Sequence, residues 1–279
     1  MNAREKTGYL LSRLSEGVKA IQSTEQFKAV LDCMASFHAY SWRNSILIHL
    51  QYPQASKVAG YRTWEKFGRH VKRGEKGISI LAPSVYKKQE IDPITNEEVE
   101  VETTASYFFP VCVFDISQTE GNELPKIGLK AIENTHAETL EKMLGFADRC
   151  GISVEFVELA NCEGISTGGK IKIQKDKNAT EKVLILVHEL AHELLHWDAE
   201  KRPKLTREQK EMEAEATAYV VANALGISET NSTEYLALYY KSYSLEKSLE
   251  VIHETSRKIL SATRDNATAD KEEDIERSA

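Results

Sequence analysis

Apolar residues along the first third of the chain recur at helical spacing. Leu10, Leu11, Leu14, Val18 and Ile21 share one side of a helix over residues 5–21. A second helix starts at Ser23 or Thr24 as cap and carries Phe27, Val30, Leu31 and Met34 to Phe37. A third follows Ser41 through Trp42, Ile46, Leu47 and Leu50 until Pro53 stops it, and a short one after Thr63 holds Trp64 and Phe67 and ends at Gly68. The texture then changes to that of strands. Residues 69–72 and 78–86, joined by a turn between Gly74 and Gly77, read as a hairpin. Residues 92–96 form a turn between two further strand stretches, and residues 107–114 are the last strand of this half. Helices first and strands after predict an α+β domain with an antiparallel sheet.

Polar residues with Gly and Pro separate the halves, from Asp115 to Gly128 in composition, and set the linker at 121–130. Domains are accordingly expected at 1–120 and 131–261. The second opens with a helix through Leu140, Leu144 and Phe146, followed by short strands at 154–157, 164–166 and 170–174, with Gly168-Gly169 as a tight turn. Two long helical runs follow, the later one ending at Gly226, then helices at 233–243 and 245–260. The tail, 262–279, is charged and poor in apolar residues and is expected to be disordered. No internal repeat is present.

The first of the long runs contains Val187-His188-Glu189-Leu190-Ala191-His192-Glu193-Leu194-Leu195-His196. Residues four apart share a helix face, so His188 and His192 can offer two imidazoles to one ion. Glu189 lies close enough to act as a general base without being a ligand. Two His ligands, a Glu base and an open position make the zincin arrangement, so the C-terminal domain is expected to be a zincin-like metallopeptidase domain built on this HExxH helix. Such a site needs a third ligand, and the next helix supplies three acids. Glu213 shares a face with Ala216 and Val220 and is the expected ligand; Glu215 is its rival, and Glu211 is assigned to a solvated face. His196 lies about 6 Å further along the axis than His192 and is read as a packing residue or a neighbour of the ligands. Tyr219 is a candidate for stabilising an oxyanion. His/His/Glu ligation suits Zn2+ best and also admits manganese.

Charge divides the chain. Residues 1–88 hold 15 Lys and Arg against 6 Asp and Glu, whereas the remainder holds 21 against 37. A basic first half points to nucleic acid, with attraction between the halves as the other reading. Within it, residues 61–77 interleave aromatics with bases, the combination that holds single strands by stacking and backbone neutralisation. Trp64 and Phe67 can equally be core residues of a short helix. The four cysteines show no Cys-x-x-Cys spacing and read as free thiols in a reducing compartment. Without a signal core or a membrane-length apolar run, a cytoplasmic protein is expected, with no membrane partner.

Taken together, Val58-Ala59-Gly60-Tyr61-Arg62-Thr63-Trp64, Gly68-Arg69, Lys72-Arg73-Gly74-Glu75-Lys76-Gly77, Ile80-Leu81-Ala82-Pro83 and Val113-Phe114-Asp115-Ile116-Ser117-Gln118-Thr119 resemble the N-terminal domain of ArdC-type antirestriction proteins. The C-terminal half resembles the ImmA/IrrE-like metallopeptidase domain that accompanies it. The resemblance implies a protein of a mobile element that binds single-stranded DNA and protects incoming DNA from restriction. It implies metal ligation by His188, His192 and Glu213, with Glu189 as catalytic base. DNA contacts carry over to Arg43, Asn44, Tyr61, Arg62, Trp64, Arg69, Lys72, Arg73 and Lys76. One departure stands out: ImmA/IrrE-like relatives often place Asn four residues after the ligand Glu, where this chain has Thr217. The alternative function is a regulatory metalloprotease that cleaves a repressor or a restriction-related protein, the N-terminal domain serving as adaptor. A purely structural zinc is disfavoured by the open position and the adjacent Glu.

Overall fold

A computed structural model describes residues 1–21, 23–91, 98–123, 135–197, 205–227 and 245–263. They fall into two units, one comprising Met1–Gly17 and Leu47–Asn122, the other Val18–Ile46 and Glu123–Glu276. The linear division at residue 120 did not anticipate that 18–46 belong with the second unit. The reason is packing: the second helix lies against the helix at Arg207–Ala224.

The second unit holds α2 (Thr24–Ser36), α5 (Thr135–Arg149), α6 (Ala179–His196), α7 (Arg207–Ala224) and α8 (Leu245–Ser261), with strands β6 (Ser153–Val157), β7 (Gly164–Ser166) and β8 (Lys170–Gln174). The intervening labels belong to the first unit. Strand order is β6-β8-β7, with β6 and β8 parallel and β7 antiparallel to β8, so β7 lies at an edge. Ile171 and Ile173 of β8 alternate inward and meet Met143 of α5 and Val183, Leu186, Val187 and Leu190 of α6 in one core. Asn178 caps α6 and exchanges hydrogen bonds with Glu181, a capping box that fixes where the helix starts. On its other side α6 sets Ala191 and Leu195 against Ala214 of α7, the two alanines letting the backbones come close. The helix read at 233–243, the tail beyond 263 and most of the linker lie outside the described residues. Among those described, no helix is long and apolar enough to cross a membrane.

The first unit contains α1 (Ala3–Lys19, whose last residues join the second unit), the end of α3 (Trp42–Gln51), β1 (Val58–Gly60), α4 (Tyr61–Lys66), β2 (Arg69–Val71), β3 (Ile78–Ile91), β4 (Glu98–Asp115) and β5 (Thr119–Gly121). One antiparallel sheet runs β1-β4-β3, and the molecule as a whole is α+β. The turn read at 92–96 is outside the described residues, and the strands flanking it pair from Ile78↔Val113 to Ile91↔Glu98. The expected hairpin between 69–72 and 78–86 does not form. Instead β2 pairs with β5, Arg69 facing Gly121 and Val71 facing Thr119.

That pairing is built by residues 115–121, whose composition reads as linker. Asp115 is buried and accepts hydrogen bonds from Ser56 N (2.7 Å), Lys57 N (3.0 Å), Ser117 N (2.9 Å) and Ser117 Oγ (2.7 Å). Gln118 donates to Glu75 Oε2 and to the Lys76 carbonyl, and Lys72 N donates to the Gln118 carbonyl. Arg69 Nε donates to Thr119 Oγ1 at 2.8 Å. A short 3-10 turn at Ile116–Gln118 thus anchors the basic 72–77 loop. Burial raises the Asp115 carboxyl, but the four donors outweigh it and hold it below its ordinary value. Asp115→Ala should therefore destabilise the protein by roughly 2–4 kcal/mol in urea denaturation. Because the native carboxyl is depressed, this stabilisation is present above about pH 4 and should be lost as the pH falls through the lowered value. An unchanged denaturation midpoint in the variant would contradict this role.

Candidate metal centre and basic surface

One turn of α6 separates His188 from His192, and their Nε2 atoms approach to 3.2 Å. Glu211 of α7 brings Oε2 to 3.7 Å from His188 Nε2 and 3.5 Å from His192 Nε2. Among the described residues, these three form the group whose ligand atoms lie within 4.8 Å of one another. Glu211, assigned to a solvated face, keeps its side chain 37% exposed yet turns its carboxylate to the two imidazoles. Glu211 and Glu215 are four apart and share the side of α7 that faces α6, and Glu215 Oε2 lies 3.1 Å from His188 Nδ1. Glu213 is turned about 200° around α7 from each of them and reaches the last residue of α6, His196. Its carboxylate is fully buried, with Oε2 3.2 Å from His196 Nε2 and Oε1 accepting from Ser248 Oγ at 2.9 Å. The face shared with Ala216 and Val220 is a buried one, as read, but it meets α8 and His196 rather than the imidazole pair.

Charge in this cluster is strongly coupled. Burial opposes the imidazolium of His188, yet hydrogen bonds to Glu211 and Glu215 outweigh it and push the pKa up to about 9. The two imidazoles hold Glu211 far below the usual carboxylate range. Glu189 is raised by its burial, partly offset by His188 and His192 and by a hydrogen bond from Ser166. A carboxylate lifted in this way is a better proton acceptor from water near neutral pH.

Three residues that shape this region drew no attention in the sequence. A Cβ at Gly164 would meet Glu189 Oε1 at 2.8 Å and Ile185 Cγ2 at 2.5 Å, so only glycine lets β7 pass so close to the base. Ser166, two residues on, contacts the same carboxylate. Glu193 accepts from Thr167 N and Gly168 N on one oxygen (3.1 and 2.9 Å) and from Gly169 N on the other (2.7 Å), pinning the β7–β8 turn to α6. An acid four residues after Glu189 within an apolar run was the available signal. Tyr219 is not at the cluster: its hydroxyl donates to Asp32 of α2 at 2.6 Å, and burial with that carboxylate pushes its pKa up to about 12.

Of the residues assigned to DNA, Tyr61, Arg62, Lys72, Arg73 and Lys76 are exposed in the first unit. Trp64 is buried and donates Nε1–H to the Phe114 carbonyl, so its ring has no free face for a base. Arg69 is half-buried and spent on Thr119 and Asn122. Arg43 and Asn44 belong to the second unit, where Arg43 pairs with Glu250 and Asn44 is buried. Exposed aromatics that the sequence reading passed over are Tyr107, Phe108 and Phe109 on β4.

In cation-free protein His188 should stay protonated at neutral pH and titrate near 9. Its native pKa lies above the ordinary 6.5, so its contribution to stability is complete below that value and is lost as the pH rises through about 9. Thermal midpoints of chelator-treated protein should fall across this window, and His188→Asn should flatten the fall; parallel profiles would contradict the coupling.

Comparison with known proteins gives the following. An uncharacterized Bacillus anthracis protein, pXO2-81, is 28% identical over 303 aligned positions, covering 91% of this chain and 50% of its own length. The chain thus spans about half the length of that curated relative. The metal-free crystal structure of antirestriction ArdC from plasmid R388 aligns at TM-score 0.47 and 18% identity, covering 85% of each chain. The Mn(II)-bound structure of that protein aligns at 0.45 and 16%, covering 85% of this chain and 89% of its own. The family described as the N-terminal domain of anti-restriction factor ArdC matches residues 3–114. Residues 3–114 of this chain are thus similar to the N-terminal domain of anti-restriction factor ArdC.

Proposed function

We propose that the first unit binds single-stranded DNA and that the second is a zincin-like unit holding a divalent cation, zinc by preference, for peptide hydrolysis. The observation that carries the metal reading is the convergence of His188 Nε2, His192 Nε2 and Glu211 Oε2. The donors fit such an ion: two imidazole nitrogens and one carboxylate leave a fourth position open. Glu211 replaces Glu213 as the third ligand, and Glu215 orients His188 through Nδ1. A bound cation supplies Lewis acidity, polarising a carbonyl and lowering the pKa of water.

The remaining roles fall to the chain itself. Glu189 takes the proton from water and returns it to the leaving amine. Ser166 and the tight passage of Gly164 fix that carboxylate, and Glu193 holds the β7 edge beside it. Among the described residues β7 pairs with β8 alone, and its other side suits an extended peptide added as a further strand. In the first unit, support comes from the exposed bases around the 72–77 loop and from Tyr61, half exposed beside them in sequence. Bases stack on exposed aromatic faces while cations neutralise the backbone.

Two tests separate the activities. With Zn2+ and a quenched-fluorescent peptide library, Glu189→Gln should keep the ion and lose turnover by roughly 10²–10⁴-fold, whereas Glu211→Gln should lose the ion. Turnover by Glu189→Gln at the wild-type rate would sink the peptidase reading. In anisotropy titrations of a labelled single-stranded oligonucleotide, Arg73→Ala and Lys76→Ala should each reduce the slope of log affinity against log salt by about 0.7. Tyr61→Ala should cost about 1–3 kcal/mol if its ring stacks on a base. Binding that ignores salt, or no binding, would contradict the DNA reading.

A further inference from the structure

Beneath the paired imidazoles lies a second tier of polar groups that ligation does not use. Glu213 is fully buried, and the side chain of His196 is 3% exposed. Ser248 of α8 is fully buried beside them. A carboxylate in such a place is costly unless its oxygens are hydrogen-bonded, so its persistence calls for a role. We propose that Ser248, Glu213 and His196 form a buried relay that fixes the tautomer of His192 and leaves its Nε2 bare for a cation. The proposal rests on the reading of His188, His192 and Glu211 as the cation site.

An ionised carboxylate can only accept. Ser248 Oγ–H satisfies Glu213 Oε1 at 2.9 Å, and Oε2 lies 3.2 Å from His196 Nε2. His196 therefore carries its hydrogen on Nε2, and in the neutral ring this leaves Nδ1 with a lone pair. That atom is 3.0 Å from His192 Nδ1. Two imidazole nitrogens at this distance need one hydrogen between them, and it must come from His192. His192 then has Nδ1–H bonded to His196 and a bare Nε2, the atom that lies 3.2 Å from His188 Nε2 and 3.5 Å from Glu211 Oε2. In the opposite tautomer of His192, two lone pairs would face each other across 3.0 Å. Thr217 Oγ1 donates to the Glu213 carbonyl at 2.7 Å, fastening this turn of α7. Glu213 and His196 are thus positioning residues: they act through His192 and touch neither the ion nor the substrate.

The relay is tested on the whole chain in two ways. Long-range proton–nitrogen NMR of cation-free wild type at neutral pH should show His192 with hydrogen on Nδ1 and His196 with hydrogen on Nε2. Hydrogen on Nε2 of His192 would overturn the relay, and this readout needs neither a variant nor any zinc affinity. Zinc titration calorimetry then compares variants. Glu213→Met removes the acceptor and should weaken zinc by roughly 10–100-fold, the usual loss when a partner of a ligand is removed. Glu213→Gln keeps a carbonyl acceptor for His196 and should stay close to wild type. Wild-type affinity in Glu213→Met would overturn the relay. So would complete loss of zinc in Glu213→Gln, which would make Glu213 itself a ligand. Absence of zinc binding by wild type would defeat the metal reading alone, leaving the tautomer measurement to judge the relay.

Discussion

Two imidazoles one turn apart on a helix bring four ring nitrogens into a space that excludes most water. Each nitrogen needs a partner, and the second unit is arranged around supplying them. Glu215 takes Nδ1 of His188, and His196 takes Nδ1 of His192. The two Nε2 atoms are left facing each other and Glu211. In cation-free protein, hydrogen bonds to Glu211 and Glu215 outweigh burial and keep the His188 imidazole charged to high pH. On the proposed reading, a divalent cation would displace a proton there and take the same lone pairs. The arrangement depends on α6 and α7 lying close, which Ala191 and Ala214 permit.

Much of this was legible in the sequence. His188, Glu189 and His192 were placed on one helix by spacing alone, and the Gly168-Gly169 turn was read between the strands it joins. Which of the three acids on α7 meets the imidazole pair was not. Acids at 211, 213 and 215 point to alternating sides of α7, and the choice depends on how α7 is rotated against α6. Local pattern cannot fix that rotation, because α7 is buried on nearly every side and its small residues form no narrow stripe. The same limit explains the missed pairing of β2 with β5. Strand periodicity says which face of a strand is buried and says nothing about a partner some fifty residues away. Membership of 18–46 in the second unit is likewise a matter of distant packing.

Interleaved aromatic and basic residues over 61–77 separate, on folding, into an inward set and an outward set. Trp64 and Arg69 build the scaffold, whereas Tyr61, Arg62, Lys72, Arg73 and Lys76 remain accessible. The stretch from Asp115 to Thr119, whose polarity reads as linker, is the clamp that gives the basic loop its shape. Composition could not separate the two, because a loop tied down by side-chain hydrogen bonds uses the same residue types as one that is free.

The most direct test of the account is anomalous diffraction at the zinc edge from crystals grown with Zn2+. The account predicts one ion bonded to Nε2 of His188 and of His192 at about 2.0–2.1 Å and to a Glu211 oxygen, with Glu215 on His188 Nδ1 and Glu213 on His196. An ion bonded to Glu213 or Glu215, or zinc found elsewhere on the chain, would contradict it.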